Sequence, residues 1–145
     1  MAGQDENKKK IWLAEIKKMT RTTMMGTLNI EIVEIDDEHI ELIMPITVQV
    51  KQPVGLLHGG ASMVMAETAA SVHAAWLTDL SKFVPVGIEI SGSHLSSARE
   101  GHVRATARVF QQNWDALIVH EIEINHVETG SLLCKARVTN HYKPI

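Results

Sequence analysis

Glu67 is the residue whose setting most demands a chemical explanation. It stands in the run Gly59-Gly60-Ala61-Ser62-Met63-Val64-Met65-Ala66-Glu67-Thr68-Ala69-Ala70-Ser71, among neighbours that are mostly small or apolar. A carboxylate on such a helix is expensive to desolvate, so it must be paired, exposed or used. The flanks Val64, Met65, Ala66, Ala69 and Ala70 argue against exposure and for a partly desolvated pocket. There Glu67 would act as a nucleophile or as a general base on water. Ser71, one turn further on the same face, would hold that water, and Met63 lies one turn back.

The start of the same helix offers a second capability. Glycines 59 and 60 leave no side chains where the first backbone N–H groups lack intrahelical partners and the helix dipole favours negative charge. The N–H of Gly59 is therefore placed to bind a carbonyl oxygen as it becomes tetrahedral, an interaction worth roughly 3 kcal/mol. A tight turn with close backbone packing is the plainer explanation of Gly-Gly. His58 is open to three roles: general base, donor to a carbonyl, or closure of the loop. Gln52 either donates to a substrate carbonyl or satisfies loop backbone. The spacing of Gln52, His58, Gly59 and Glu67 together is what favours a site.

Around these residues the chain reads as helix, hairpin, long helix and a run of strands. Residues Lys8 to Met25 place Ile11, Leu13, Ile16 and Met19 to one side, as a short amphipathic helix does. Leu28, Ile30 and Ile32 then alternate with polar residues, and Ile40, Leu42 and Met44 do so beyond the acidic turn Asp36-Asp37-Glu38, which predicts a hairpin. After Pro53 and Gly55 an Ala-rich, proline-free stretch predicts one helix from Gly59 to about Leu80. Four strands are expected after Pro85, at Val86–Leu95, Val103–Phe110, Leu117–Ile124 and Leu132–Thr139. Their turns fall at Arg99-Glu100-Gly101, Gln112-Asn113-Trp114-Asp115 and Glu128-Thr129-Gly130. In the third, Ile118, His120, Ile122 and Ile124 share one face while Val119, Glu121 and Glu123 share the other, so the sheet is half buried. The economical arrangement of one antiparallel sheet and one long apolar helix curls the sheet around the helix, an α+β architecture.

Composition narrows the partners. With 145 residues, 45% of them hydrophobic, the chain is expected to form a single domain, residues 1–145, with residues 1–25 as an N-terminal helical segment. A net charge of −3 supplies no basic field for nucleic acid. The most apolar stretch, Ala61 to Leu80, is interrupted by Glu67, His73 and several hydroxyls, so no membrane span is expected. Cys134 is the sole cysteine and the N-terminus is polar, which together lead to an expectation of a cytoplasmic protein. Cys134 alternates with Leu132 and Ala136 and reads as core. The eight histidines show no paired metal-ligand spacing, so no metal site is expected. Trp76 and Trp114 read as packing or interface residues.

The run Gln52 to Ser71 resembles the motif of hotdog-fold acyl-CoA thioesterases, in the branch containing the Arthrobacter-type 4-hydroxybenzoyl-CoA thioesterase and the phenylacetate-, menaquinone- and enterobactin-pathway thioesterases. The segments Val86-Gly87-Ile88-Glu89-Ile90 through His94 and Ser97-Ala98-Arg99-Glu100-Gly101 are similar to the same group. With the order of elements, the resemblance covers about Gly26 to Thr139. It implies a hotdog fold, an antiparallel β-sheet wrapped around a long central α-helix, and two subunits joined edge to edge. It further implies interfacial active sites and, often, a tetramer of two dimers. Carried over by position, Glu67 of one subunit is nucleophile or general base. Gly59 N–H, Gln52 and His58 of its partner hold the thioester carbonyl, and Ser71 positions water. For coenzyme A, which is part of the substrate rather than a cofactor, the resemblance points to the Ser96-Ser97-Ala98-Arg99 turn, with His94 near the pantetheine path. The Arg99 fork is physically suited to phosphate, although a turn arginine also sits simply in solvent.

The reading is an acyl-CoA thioesterase acting on aryl or small acyl groups without metal or redox cofactor. Three rivals stand beside it: a hotdog sensor that binds acyl-CoA without turnover, a hotdog hydratase acting on enoyl-CoA, and a purely structural oligomer. The last leaves Glu67 unexplained.

Overall fold

The computed structural model describes the backbone over residues 2–113 and 116–145 and side chains over 5–113 and 116–145. Trp114, for which packing was expected, and Asp115 lie outside the described residues.

The elements run α1 (Ala2–Thr20), α2 (Met24–Thr27), β1 (Glu31–Ile35), β2 (His39–Pro45), a 3-10 turn (Val48–Val50), α3 (Gly59–Trp76), β3 (Phe83–His94), β4 (His102–Asn113), β5 (Leu117–His126) and β6 (Leu132–Pro144). All pairings in the sheet are antiparallel, in the order β1-β2-β4-β5-β6-β3. The sheet therefore ends on two edges, β1 and β3, and wraps α3 without closing. This is the hotdog arrangement that the sequence resemblance implies.

Period-two burial explains why the sheet curls in one direction. Ile40, Leu42 and Met44 of β2, Val103, Ala105 and Ala107 of β4, Ile118, Ile122 and Ile124 of β5, and Cys134, Ala136 and Val138 of β6 are buried. All but Ile118 pack with Ala61, Met65, Ala66, Ala69 and Ala70 of α3, and Ile118 packs in a smaller cluster with Ala74 and Tyr142. Small residues on the helix let the sheet approach closely, so Cys134 is core, as expected.

Several element bounds differ from the sequence expectation, each for a local reason. The N-terminal helix stops at Thr20 rather than Met25. Thr20 Oγ1 bonds back to Ile16 O and Thr23 Oγ1 to Thr20 O, and a Cβ on Gly26 would collide with Arg21 O, so the chain folds over into a separate turn. The first strand begins at Glu31 instead of Leu28, because Leu28 caps α2 and Asn29 adopts φ 55°. Helix α3 ends at Trp76 instead of Leu80: the Leu77 N–H closes on His73 O, and Asp79 Oδ1 accepts from the Ser81 N–H and hydroxyl in a competing turn. Strand β4 runs through Gln112 and Asn113, which the sequence assigned to a turn. Strand β6 continues past Thr139 to Pro144, paired with β3 throughout.

The N-terminal helix lies on the body, as its amphipathic spacing indicates. Trp12 meets Trp76 edge to face with ring centroids 5.1 Å apart, and Lys9 pairs with Glu34 of β1. Trp76 also donates its indole N–H to Asp37 Oδ1 at 2.9 Å, so it is a packing residue. None of the described helices is long and apolar enough to cross a membrane.

Candidate active site

Helix α3 begins where two irregular segments meet. Gln52 N–H bonds to Leu56 O, Gly55 N–H to Gln52 O, and His58 N–H to Val50 O, which closes a turn that needs φ 87° at Gly55. Leu57 N–H then reaches Ala98 O, tying the turn to the segment after β3. Arg99 adds a second tie, its Nη1 donating to Val54 O at 3.0 Å. The expected phosphate contact Arg99 thus already holds the Gln52 loop with one arm of its fork. Ser96 and Ser97, the other expected coenzyme A contacts, are exposed on the same segment.

His58 is the N-cap of α3, and its Nδ1 accepts the Gly60 N–H at 2.8 Å. That bond settles the tautomer of the neutral ring: Nδ1 is an acceptor, so the proton sits on Nε2 and faces outward as a donor. Of the roles open to His58, loop closure is observed, donation from Nε2 remains available, and Nδ1 is unavailable as a base. Gln52 is half-buried and commits its Oε1 to the Val54 N–H at 3.0 Å, which leaves its Nε2 as a further donor. The Gly59 N–H has no acceptor among the described residues. The helix start thus presents an unpaired backbone donor, with donors from His58 and Gln52 on the adjoining turn.

Glycine accounts for how one face of α3 fits against β3. Residues 59, 63, 67 and 71 are one turn apart, and three of them meet β3 where side chains are missing or aside. A Cβ on Gly59 would lie 2.8 Å from His94 Nε2, one on Gly92 2.6 Å from Met63 Cε, and one on Gly87 2.7 Å from Glu67 Oε1. The strand thus runs antiparallel to the helix, with Gly87 making room for the Glu67 carboxylate. His94, expected near the pantetheine path, stands against the start of the helix beside Gly59. Ser71 donates its hydroxyl to Asn140 Oδ1 of β6 at 3.1 Å.

Contrary to the expectation of a desolvated carboxylate, Glu67 is exposed in the single chain. Its apolar neighbours in sequence point elsewhere: Ala66, Ala69 and Ala70 face the sheet, whereas Glu67 faces the open side next to edge strand β3. That strand exposes Val84, Val86 and Ile88. An open apolar hollow of about 560 Å³ lies beside the helix start, lined among others by Met24, Leu28, Val50, His58, Ala61 and Val64.

Sequence reasoning missed Gly87 and Asn140 as members of this face. Isolated glycines in a strand signal close approach by another group, and Asn140 is an amide at an inward position of an otherwise apolar alternation. It also missed a buried pair elsewhere on α3. His73 Nε2 bonds to Asp36 O at 2.9 Å and His73 Nδ1 to His120 Nε2 at 2.9 Å. Burial pushes His73 below its ordinary value and, with His73 alongside, pushes His120 down to about 3. No group of three or more potential metal ligands occurs among the described residues.

The comparisons with known proteins agree with this geometry. The Thioesterase superfamily matches residues 54–124. The 1,4-dihydroxy-2-naphthoyl-CoA hydrolase of Escherichia coli strain K12 is 41% identical over 132 residues, covering 91% of this chain and 95% of the relative. Among solved structures, a mutant of thioesterase PA1618 from Pseudomonas aeruginosa superposes with a TM-score of 0.87 at 32% identity, covering 92% of this chain and 94% of that one. SAV0944 from Staphylococcus aureus is known as a glutamate-to-alanine and a glutamine-to-alanine mutant. These give TM-scores of 0.81 and 0.82 at 37% and 36% identity, covering 84% and 85% of this chain and 99% and 100% of those.

Proposed function

The chain belongs to the thioesterase superfamily and is a thioesterase, and from that premise we propose that its site is assembled between two copies, the carboxylate of Glu67 from one and the donors of Gly59, His58 and Gln52 from the other. One observation carries this reading: the unpaired Gly59 N–H and the exposed Glu67 lie on the same helix, eight residues apart. At 1.5 Å per residue that is about 12 Å along the axis, far beyond the roughly 3 Å at which both must approach one thioester. A second copy laid against the open side of α3 removes the discrepancy. Edge strand β3, with its apolar Val84, Val86 and Ile88, is the surface that would receive it, strand against strand. The exposure of Glu67 then belongs to the isolated chain, and the assembly desolvates it. A tetramer of two such dimers is the larger assembly proposed.

In the reaction, water attacks the thioester carbon while Glu67 takes its proton, and the carbonyl oxygen gathers charge against the Gly59 N–H. The C–S bond then breaks, and the thiolate recovers the proton from Glu67 to leave as thiol beside the free acid. Ser71 favours this general-base form over a covalent acyl-glutamyl intermediate, because it puts a water-binding hydroxyl one turn from the carboxylate. The paired mutants of SAV0944 lend support: their glutamine and glutamate are fifteen positions apart, as Gln52 and Glu67 are.

The substrate proposed is an aryl acyl-CoA. The E. coli relative is a 1,4-dihydroxy-2-naphthoyl-CoA hydrolase, and the apolar hollow next to His58 and Gly60 suits a flat acyl group. His94, Ser96, Ser97 and the free arm of Arg99 would contact coenzyme A. A cytoplasmic location, where acyl-CoA is made, is proposed with it. The test is thiol release from benzoyl-CoA and 1,4-dihydroxy-2-naphthoyl-CoA by wild type and Glu67→Gln. Turnover that falls about a thousandfold in the folded variant supports the reading. Binding without thiol release would favour the sensor, and loss of crotonyl-CoA absorbance without thiol the hydratase.

A further inference from the structure

The inner face of β6 is apolar at Cys134, Ala136 and Val138 and then carries a fully buried amide, Asn140. Its Oδ1 accepts the Ser71 hydroxyl at 3.1 Å, while its Nδ2 has no acceptor among the described residues. A buried donor left unpaired costs about 1–3 kcal/mol, so an apolar side chain would serve the core better. The amide is therefore retained at an energetic disadvantage, and its location indicates the reason. Asn140 is paired across the ladder with Gly87, the residue whose missing side chain accommodates Glu67. Glu67 Oε1 lies 2.7 Å, and Asn140 Oδ1 3.8 Å, from the point that a Cβ on Gly87 would occupy. Carboxylate and amide border the same gap.

We propose that Asn140 is a positioning residue for the hydrolytic water. It acts through Ser71 and deepens the site reading given above, on whose assignment of Glu67 it rests. A free serine hydroxyl rotates and both donates and accepts. Once its proton is committed to Asn140 Oδ1, Ser71 offers only lone pairs, so a water beside it must donate to Ser71. If the same water donates its second hydrogen to Glu67, its own lone pair is left for the thioester carbon. Asn140 thus converts an ambiguous hydroxyl into an acceptor and gives the water one productive orientation. The unpaired Nδ2 supplies a further donor next to that gap.

The discriminating variant is Asn140→Leu, which keeps the branching of the side chain in a larger volume and removes the unpaired donor. Its melting temperature is expected to stay close to that of wild type, because removing the unpaired donor offsets the cost of the larger side chain, while kcat falls about ten- to a hundredfold and KM stays within twofold. Ser71→Ala should reproduce the loss, and the double variant should be no slower than the slower single one, because both substitutions break one device. Asn140→Asp restores the acceptor, so it should recover part of kcat. Its added negative charge should also move the acid limb of the pH-rate profile upward, as it must if residue 140 borders the catalytic carboxylate. Full kcat in Asn140→Leu, or additive losses in the double variant, overturns the proposal. Should Asn140→Leu not fold, the Ser71→Ala and Asn140→Asp profiles decide alone: full kcat in the first or an unmoved acid limb in the second overturns it. Glu67→Gln, run alongside, separates the two levels: if it stays active the site reading fails, whereas if it is inactive and Asn140→Leu is fully active only the role of Asn140 falls.

Discussion

Helix α3 carries two polar clusters that differ in nearly every respect. Around His73 and His120 the side chains are fully buried, linked to each other and to the Asp36 carbonyl, and held neutral by burial. Around Glu67 and Ser71 the helix is open, its carboxylate exposed and facing the glycines of an edge strand. The buried pair has perturbed protonation, yet it anchors the β1–β2 turn to the helix and has no route to substrate. The open cluster has the groups that hydrolysis needs. Perturbed protonation alone would therefore select a cluster other than the one proposed as the site, whose other half is proposed to come from a second molecule.

The contrast can be sharpened by substitutions on each side. The largest stability effect is expected at His120→Ala, which leaves His73 Nδ1 without its donor and opens a cavity. A loss of about 2–4 kcal/mol in denaturant unfolding is expected, with kcat per folded molecule unchanged. Next comes Gly87→Ala. Its methyl group would displace the Glu67 carboxylate, so kcat should drop about tenfold or more with little change in melting temperature. A reversed pattern, with His120→Ala lowering kcat and Gly87→Ala lowering stability, would exchange the roles given to the two clusters.

Acid should unfold the protein through the histidines. His120 binds a proton at about 3 in the folded chain and near its ordinary 6.5 in the unfolded one, and His73 is shifted in the same direction. Within that window the unfolded state holds more protons, so stability falls as pH falls, by up to about 1.4 kcal/mol per pH unit from His120, with His73 acting in the same direction. Urea unfolding between pH 7 and 4 should show this slope, and it should be shallower in His120→Leu. The smallest effect is expected at Trp76→Phe, which loses the bond to Asp37 but keeps the ring against Trp12. It should cost about 1 kcal/mol.

How much of this was legible in the sequence depended on how local the cause was. Strand alternation revealed the inward faces of β2 and β5, and the acidic turn at Asp36 was read correctly because Asp36 Oδ1 caps the Glu38 and His39 N–H groups. Gly59-Gly60 and His58 marked the start of α3. Its end was misread because the competition at Asp79 comes from side-chain hydrogen bonds that propensity does not weigh. Glu67 was recognised, but its exposure was not. Apolar sequence neighbours on a helix face other directions, and which face stays open depends on sheet order. Asn140 was hidden by ending the last strand at Thr139, five residues short of its end at Pro144. The His73–His120 contact joins residues 47 positions apart, a pairing that no single-sequence pattern encodes.

Whether the site spans two chains is decided by subunit mixing. Gly59→Pro removes the proposed oxyanion donor at a first helical position, where His58 already has the extended backbone that proline requires before it and where the new Cβ needs only the exposed His94 ring to swing aside. Glu67→Gln removes the carboxylate. Each homodimer should be inactive. After co-expression with distinct tags, the isolated mixed dimer would contain one site with both groups intact and one with neither. Thiol release at about half the wild-type rate per purified mixed dimer is the expected result. A pure, folded mixed dimer that releases no thiol would mean that Glu67 and Gly59 do not act across the interface, and the two-chain site would be wrong.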